Sequence, residues 1–586
     1  MDIKLFFTRK KLVALIFIGL LLCFIYFVSK RSTIIDDPVP LSSGQVEAMF
    51  YVEESNSPVC LGDGLISTTE ETSGEDAVKS KIITAPDNSA SFGNNYHVVW
   101  NSIRRTDDGL KVYGYLADGP SPSKDIVSSF TNIEELKAST SLKAGDKVTT
   151  KGFYSSDDSG GATYKIIAKP QLNENPYTTF KLANGLFAEL DFNTDSMIRV
   201  PSVGVTAGTE CAAQLNQIFK LLQYKVHGFQ FSKGTYFIEE PLYLRSFAYY
   251  GDDTTLQITP NFNKKEVNCI LTLKSNDRPY EIEMHNMNFL METGPASSLY
   301  NEKSVLVALR YIGSCVIDHC NFVARPFAEN GGFQIVHMLW FKQTDLIQNV
   351  TITNCEVIND SAKNYSGSAS DNLLGGGLLF SGPNGNYSTP INNITIKNCN
   401  IESTINDENL SFWNGNFTNV LVDNCTISNS DHPSNNLVTF YRGEFHNVVV
   451  NNCKINAMEP TKNVIKYREL VNASDLTFNG TDILLDSETS DPNSNSISFF
   501  KCDSDLTNYG DVTTATFNDC TIEATDTTVY GTLFKYTGLN NKQLNLNDCE
   551  ISGTTRYGHG SISGSNDIEI NFSNTTGMDE SSIRRK

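Results

Sequence analysis

The chain has 586 residues and a formal net charge of −21, from 46 lysines and arginines against 67 aspartates and glutamates. This acidic surplus disfavours nucleic acid as a partner, because binding nucleic acid requires a positively charged surface. The length predicts two to four domains, unless a repeat absorbs several hundred residues in one unit.

The N-terminus carries an uncharged apolar run, Leu12–Val28, preceded by Lys4, Arg9, Lys10 and Lys11. At about 1.5 Å per residue the run spans roughly 25 Å, which suffices for a bilayer. No small-x-small cleavage site follows it, so a signal anchor fits better than a cleaved signal peptide. We therefore expect residues 1–31 to form a cytoplasmic stub and a single transmembrane anchor, with the bulk of the protein outside the cell.

The next segments predict β structure. Residues 32–45 are typical of a linker, and residues 46–125 predict a small β domain with a hairpin turning at Asp107-Asp108-Gly109. Residues 126–200 predict a second β segment that leads into the main domain, which we place at residues 201–576, with a polar tail at 577–586. A helical apolar stripe opens the main domain and predicts an amphipathic cap; its members are Ala212, Leu215, Ile218, Phe219 and Leu222.

A repeat of alternating apolar residues, a polar pair, a small residue and another apolar residue fills the main domain. Period-two alternation indicates strands, and stacked repeats of variable length favour a parallel β-helix, right-handed by the chirality of parallel crossovers. We expect the small residue to form a buried column of free thiols that binds no metal or other cofactor. Its members are Cys320, Cys355, Cys399, Cys425, Cys453, Cys520 and Cys549, with Met287, Gly480 and Ser573 standing in for cysteine.

A second column lies between the cysteine turns and consists of aromatic residues, whose main role we expect to be packing inside the solenoid. Its members are Phe341, Phe380, Phe412, Phe440, Tyr467, Phe500 and Tyr536. The fold class is therefore all-β: a right-handed parallel β-helix, preceded by a small β domain and a transmembrane anchor.

Two segments carry a resemblance to known proteins. Residues 148–166 resemble the lead-in segment of phage tailspikes through Gly152, Phe153, Tyr154, Asp158, Gly160, Gly161 and Tyr164. Residues 200–256 resemble the first coils of the pectate-lyase-like superfamily, including Gly234-Thr235-Tyr236, but VGVTAGTEC replaces the superfamily's Asp-rich turn. The resemblance implies a β-helix with a polysaccharide-binding face, and for tailspike relatives a homotrimer. It leaves open whether the protein is an enzyme, because this scaffold hosts lyases, hydrolases and adhesins.

Side chains alternate along a strand, so we expect the neighbours of the aromatic column to point outward. Aromatic rings can stack on sugars, and cations can pair with acidic groups, so these positions predict a groove for an acidic polysaccharide. The alternative is that this face binds no ligand and that its lysines only prevent the strands from pairing with another chain. The predicted binding residues are Trp340, Lys342, Trp413, Tyr441, Lys466, Arg468 and Lys501, with Thr439 and Lys535 beside them.

Charged residues just beyond this face supply the candidates for catalysis. The predicted catalytic residues are Glu444, Glu469, Asp431 and Arg442, with Asp407, Glu408, His432 and His446 nearby. Paired carboxylates could cleave a glycosidic bond by hydrolysis, whereas an arginine with Tyr441 or His446 could support a lyase. The alternative is that these residues only solvate turns.

Two further motifs are weaker. Gly558-His559-Gly560 resembles a polygalacturonase segment, but the companion motifs of that family are missing. Glycosylation sequons such as those at Asn349, Asn393 and Asn424 are expected to be by-products of the coil pattern. Two hypotheses remain: a cell-surface lyase or hydrolase acting on an anionic capsule or wall polysaccharide, or a non-catalytic glycan-binding protein of the same fold.

Overall fold

The structure is a computed structural model. It describes the strands between residues 39 and 118 and most of the chain from residue 126 onward. The described ranges are 39–40, 45–50, 60–62, 65–71, 78–84, 96–106, 109–118, 126–259, 261–262, 268–273, 278–293, 304–326, 335–341, 346–360, 376–383, 390–403, 408–429, 434–458, 461–468, 474–485, 498–503, 513–524, 532–537, 542–552, 560–563, 568–579, 581 and 583–585.

The chain divides into two compact units near Ser129. Within the described ranges, no helix is both long and apolar enough to cross a bilayer. The predicted anchor at residues 12–28 lies outside the described residues, so it stays a prediction.

The first unit contains two antiparallel sheets. A four-stranded sheet has the order Val39–Pro40, Gln45–Phe50, Gly109–Asp118, Tyr96–Thr106, and a three-stranded sheet is formed by Cys60–Gly62, Leu65–Glu71 and Val78–Thr84. The predicted hairpin is confirmed, because Thr106 pairs with Gly109 across the expected turn.

A five-stranded sheet follows along the chain, in the order Thr179–Lys181, Phe187–Leu190, Thr163–Ile167, Lys147–Thr150, Ile126–Phe130, with the helix Ile133–Ala138 after its first strand. The tailspike-like residues build a tight loop here. The Asp158 carboxylate accepts hydrogen bonds from the backbone N–H groups of Phe153, Tyr154, Ser155 and Gly160. These bonds lower the pKa of Asp158 although partial burial opposes them.

The main domain is a parallel β-helix, as the repeat predicts, and each coil contains three strands. A 3₁₀ turn, Val200–Val203, and the amphipathic helix Ala212–Leu222 precede the first full coil. All five residues of the predicted apolar stripe are buried, because that side of the helix packs against the protein core.

We name the three parallel faces A, B and C. Face A contains Leu242–Leu244, Asn268–Thr272, Ser304–Leu309, Ile335–Phe341, Gly376–Ser381, Glu408–Trp413, Ser434–Tyr441, Thr461–Arg468, Ser498–Asp503, Thr532–Thr537, Gly560–Ser563 and Ile583–Arg585. Each of its strands pairs in parallel with the equivalent strand of the next coil.

Face B contains Met197–Arg199, Gly228–Gln230, Ile312–Asp318, Ile347–Thr353, Pro390–Lys397, Asn416–Asp423, Glu444–Asn451, Ser474–Asn479, Thr513–Asn518, Lys542–Asn547 and Ile568–Ser573. Face C contains Gly234–Ile238, Asn321–Pro326, Glu356–Asn359, Asn400–Ser403, Thr426–Asn429, Lys454–Ala457, Asp482–Leu485, Thr521–Ala524 and Glu550–Ser552. The long strands Ala248–Ile258 and Tyr280–Thr293 run through both faces.

Asparagines make many of the bends between faces. They adopt positive φ values, which asparagine tolerates better than most residues, and their side chains form ladders along the solenoid. Asn393 Nδ2 donates to Asn349 Oδ1 at 2.9 Å, and Asn424 Nδ2 donates to Asn398 Oδ1 at 2.8 Å. The asparagines of the predicted sequons, Asn349, Asn393 and Asn424, each donate a hydrogen bond along the solenoid through the side-chain amide.

The cysteine column is confirmed. All seven predicted cysteines are buried free thiols, and the backbone N–H of Cys399 meets Cys425 Sγ at 3.5 Å. Met287 occupies the column as predicted, but two other substitutes were misplaced by one and two residues. The buried Thr481, not Gly480, and the partly buried Thr575, not Ser573, donate to backbone carbonyls as the cysteines do.

The aromatic column is confirmed in its first part. The rings of Phe341, Phe380, Phe412 and Phe440 stack with centroids 4.6 to 5.4 Å apart. The prediction fails at Phe500, because Tyr467 pairs with Cys502, which in turn pairs with Tyr536. Cys502 therefore takes the place of an aromatic residue in this column. Alignment on Phe500 gave a register that is wrong by two residues.

The outer side of face A is buried in several coils, contrary to the expected open groove. Trp340 is only 9% exposed, and it packs with Leu271, Ala308 and Leu379, its neighbours in the same register column. Thr439 is also buried. These side chains alternate outward as predicted, but in the first coils the outward column is apolar and closed to solvent.

Candidate functional site

A buried carboxylate lies on the outer side of face A, at the start of the strand Glu408–Trp413. Pairing with the next coil joins Glu408 to Asn436 and Leu410 to Val438 but skips Asn409, whose side chain donates to Ser428 O instead. The same gap recurs in neighbouring coils of face A, and the hydrogen bonds of Glu408 place it on the same side as Ser411 and Trp413.

Three side chains donate hydrogen bonds to Glu408. Ser411 Oγ and Trp413 Nε1 donate to its Oε2 at 2.8 and 2.9 Å, and Asn436 Nδ2 donates to its Oε1 at 3.1 Å. Burial raises the pKa of the Glu408 carboxyl, while these hydrogen bonds and the positive charge of Lys466 oppose the rise. The buried acid thus holds the indole of Trp413 in a fixed orientation.

Beyond Trp413 the surface becomes accessible. Trp413 pairs with Tyr441 in the next coil, and their rings meet edge to face with centroids 5.6 Å apart. Both side chains are half-buried, and the exposed Arg442 lies over the Tyr441 ring, 4.8 Å from its centroid. An indole, a phenol and a guanidinium therefore lie next to one another at this edge.

A carboxylate and an imidazole follow directly on face B. Glu444 Oε2 accepts a hydrogen bond from Asn416 Nδ2 at 2.9 Å and lies 3.7 Å from His446 Nε2. The other ring nitrogen of His446, Nδ1, lies 3.9 Å from Asp475 Oδ1. An imidazole between two carboxylates can accept and return a proton, so this group has the composition of a general acid–base site.

The corrected register creates a column of lysines that the sequence did not predict. Thr439 pairs with Lys466, Lys466 with Lys501, and Lys501 with Lys535. Lys501 therefore lies beside Lys466 and not in the column of Trp413 and Tyr441, where alignment on Phe500 would place it. The latter column continues instead through Arg468 to Asp503.

The predicted site residues divide into three groups. The structure brings together Trp413, Tyr441, Arg442, Glu444 and Lys466. It describes the strands of Arg468 and Lys501 but not their side chains, and it buries Trp340 in an apolar cluster. Lys342, Asp431 and Glu469 lie outside the described residues, as do Asp407 and His432.

Sequence reasoning placed Glu408 among the charged residues near the candidate catalytic group and did not predict its burial or its contact with Trp413. Its spacing from Ser411 and Trp413 could not reveal their contact, because regular alternation places residues an odd number apart on opposite sides. In the ranges that the structure describes, no group of three or more metal-ligating side chains could hold a metal ion.

The fold resembles solved structures at low sequence identity. Full-length tailspike protein 2 from Escherichia coli O157:H7 bacteriophage CAB120 has 11% identity and a TM-score of 0.36; the match covers 82% of this chain and 62% of that chain. Tailspike protein gp49 of Acinetobacter baumannii bacteriophage Fri1, a capsular polysaccharide depolymerase, has 13% identity and a TM-score of 0.35, with 77% and 76% covered.

PfbA, a surface adhesin of Streptococcus pneumoniae, has 12% identity and a TM-score of 0.36, with 65% of this chain and 91% of that chain covered. No protein-family model and no curated protein matches the sequence. Tailspike proteins are among these solved structures.

Proposed function

We propose that this protein acts at a cell surface on an acidic polysaccharide, which it binds where the outer side of face A becomes accessible. The observation that carries the proposal is the neighbouring placement of Trp413, Tyr441 and Arg442. Aromatic rings offer a flat apolar surface to a sugar ring, and a guanidinium pairs with a carboxylate or sulfate.

The charge distribution supports an acidic ligand. The whole chain carries a formal charge of −21, yet Lys466, Lys501 and Lys535 follow one another in register on this face, and Arg468 follows Tyr441. A local excess of cations on an otherwise acidic protein attracts anions to that face.

The catalytic form of the proposal is a lyase or hydrolase that uses Glu444, His446 and Arg442. Glu444 and His446 could exchange a proton with the substrate, and Arg442 could neutralise the acidic group of a uronate. Glu469 and Asp431 remain proposed partners for Glu444, because hydrolysis needs a second carboxylate about 5 to 9.5 Å from the first.

A non-catalytic glycan-binding protein is the second candidate, and the Glu408 network favours it. Both oxygens of this buried carboxylate accept hydrogen bonds from neighbouring side chains. A carboxylate held in this way orients Trp413 for binding and is poorly placed to exchange protons with a substrate.

For the rest of the chain we propose an N-terminal signal anchor at residues 1–31, with the β-helix outside the cell. A homotrimer is the proposed assembly. Protease added to intact cells should digest the β-helix while the N-terminus stays protected, whereas a soluble product cleaved near Val28 would contradict the anchor.

The functional test incubates the full chain with polygalacturonate, alginate, hyaluronate and dextran sulfate, and measures binding, new reducing ends and unsaturated uronate. Unsaturated product identifies a lyase, reducing ends without unsaturation identify a hydrolase, and binding without product supports the second candidate. Glu444→Gln should abolish turnover and retain binding, while the exposed Glu550→Gln on face C serves as the matched control. Absence of both binding and product would refute the proposal.

A further inference from the structure

Arg442 has a backbone conformation that rarely suits an arginine. Its φ is 50°, in the left-handed region. Most of the other described non-glycine residues with positive φ in the solenoid are asparagine or aspartate. Side chains with a Cβ atom disfavour this region, and asparagine tolerates it best after glycine. The position therefore calls for a residue such as asparagine.

The stacking of coils imposes this conformation. Trp413 pairs with Tyr441, and Asn416 pairs with Glu444, so Asn414 and Arg442 occupy equivalent turn positions. Asn414 has the expected asparagine, with a φ of 54°. Its N–H donates to Tyr441 O at 2.9 Å, and Glu444 N–H donates to Gly415 O at 3.0 Å.

The next residue restricts the turn further. A Cβ atom added to Gly443 would lie 2.5 Å from Gly415 O. Because both turns are bonded to each other on either side of Arg442, its backbone cannot relax to suit the side chain. An arginine at this position therefore carries a conformational cost that the preceding coil avoids.

The arginine adds a planar cation at the accessible edge of the aromatic pair. Its guanidinium lies over Tyr441, whose ring meets that of Trp413. A guanidinium stacked on one face can still form two parallel hydrogen bonds through its edge with a carboxylate or sulfate. Asparagine has neither the charge nor this fork.

We propose that Arg442 is the residue that selects acidic sugars, by binding the carboxylate or sulfate of a ring stacked on Trp413 and Tyr441. This inference rests on the proposed function, and it assigns the recognition of the acidic group to one side chain. It also implies that the strained backbone at Arg442 is retained for binding and not for stability.

The decisive variant is Arg442→Asn in the full chain, because asparagine suits the backbone and removes the cation. We expect its thermal midpoint to be equal to or higher than that of the parent. Affinity for polygalacturonate or dextran sulfate should fall about tenfold, the loss typical of one charge-assisted pair. Binding of dextran and of carboxyl-reduced polygalacturonate should not change.

Two further variants sharpen the test. Arg442→Lys keeps the charge without the fork, so its affinity should fall between those of the parent and Arg442→Asn. Lys454→Asn removes one exposed cation on face C of the same solenoid, and should leave the affinity unchanged. Comparison of polygalacturonate with dextran sulfate shows whether a carboxylate or a sulfate is preferred.

The outcomes separate this inference from the proposed function. If the parent binds an acidic polymer and Arg442→Asn binds it equally well, the inference fails and the proposed function stands. An equal loss for acidic and neutral polymers, or a lower thermal midpoint, would assign Arg442 to packing on Tyr441 and also overturn the inference. If the parent binds no polymer, both fail.

Discussion

The indole Nε1 of Trp413 donates a 2.9 Å hydrogen bond to the carboxylate of Glu408, which lies five residues earlier in the same strand. The contact departs from strict alternation, which would put residues five apart on opposite sides of the strand, and it lies next to the unpaired Asn409. A buried acid thereby fixes how the aromatic edge of face A is presented.

The Glu408 carboxyl should make stability depend on pH. Burial raises its pKa, so the folded state holds the proton more tightly than the unfolded chain does. Stability is then lost as the pH rises from the ordinary carboxyl range through the raised pKa, and the loss is complete above it. Glu408→Gln, which mimics the protonated acid, should remove this part of the pH dependence in chemical denaturation between pH 4 and 8. Parallel pH profiles for the two proteins would contradict the prediction.

The two tryptophans of face A should respond differently to truncation. Trp413→Ala should weaken glycan binding by about 1 kcal/mol or more through loss of stacking. Trp340→Ala should leave affinity unchanged but lower the free energy of unfolding by about 3 to 5 kcal/mol, because this ring fills an apolar cluster. Titration calorimetry and urea denaturation measure both effects. Trp413 packs against the same cluster, so a loss of affinity in stably folded Trp340→Ala would show that the cluster supports the Trp413 ring.

The lysine column should carry an electrostatic cost. Lys466, Lys501 and Lys535 lie in register on strands about 4.8 Å apart, and like charges directly opposite each other are destabilising. Lys501→Thr should therefore raise the free energy of unfolding by about 0.2 to 1 kcal/mol at low salt. The gain should shrink near 1 M salt, where the screening length is about 3 Å.

Lys454→Thr is the control for charge alone, because Lys454 pairs in register with Asp482 on face C. It should bring no gain in stability. If Lys501→Thr lowers stability at every salt concentration, the column is held together by contacts that outweigh its repulsion.

The column cysteines should not react with thiol reagents in the folded protein. All seven sulfurs are buried and so are shielded from reagents, and at Cys320 burial also raises the pKa to about 12, which makes this group a thiol at neutral pH. Iodoacetamide should leave the seven column cysteines unmodified until denaturant unfolds the coils, as mass spectrometry can show. Rapid modification of Cys425 or Cys453 without denaturant would mean that the column opens to solvent.

The residues of the repeat predicted the architecture well because one pattern recurs in every coil. Cys399, Cys425 and Cys453 each sit at the same bend, and any one of them fixes the register of its neighbours. The same logic failed at Phe500, where the chain keeps apolar alternation with Cys502 and an aromatic residue stands two positions away. Side-chain class was a poorer guide to register than alternation itself.

The site was less predictable than the fold. The side of a sheet to which a side chain points follows from alternation along its own strand. Trp340, Trp413 and Thr439 were therefore correctly assigned to one side of face A. Exposure depends on what else packs there, and Trp340 and Thr439 proved to be buried. The contact between Glu408 and Trp413 departs from the strict alternation on which the sequence prediction relied.

Because consecutive turns are equivalent, one whole coil could be removed from the solenoid. Residues 416–443 begin just after one Asn-Gly bend and end with the Arg-Gly bend that stacks on it, so their removal would join Gly415 to Glu444 without changing the path of the backbone. Such a deletion shortens the molecule by one strand spacing, about 4.8 Å, and brings Cys399 against Cys453. Trp413 would then face Arg468 in place of Tyr441. The length of the binding surface is thus set by a whole number of coils, and evolution or design can alter it one coil at a time.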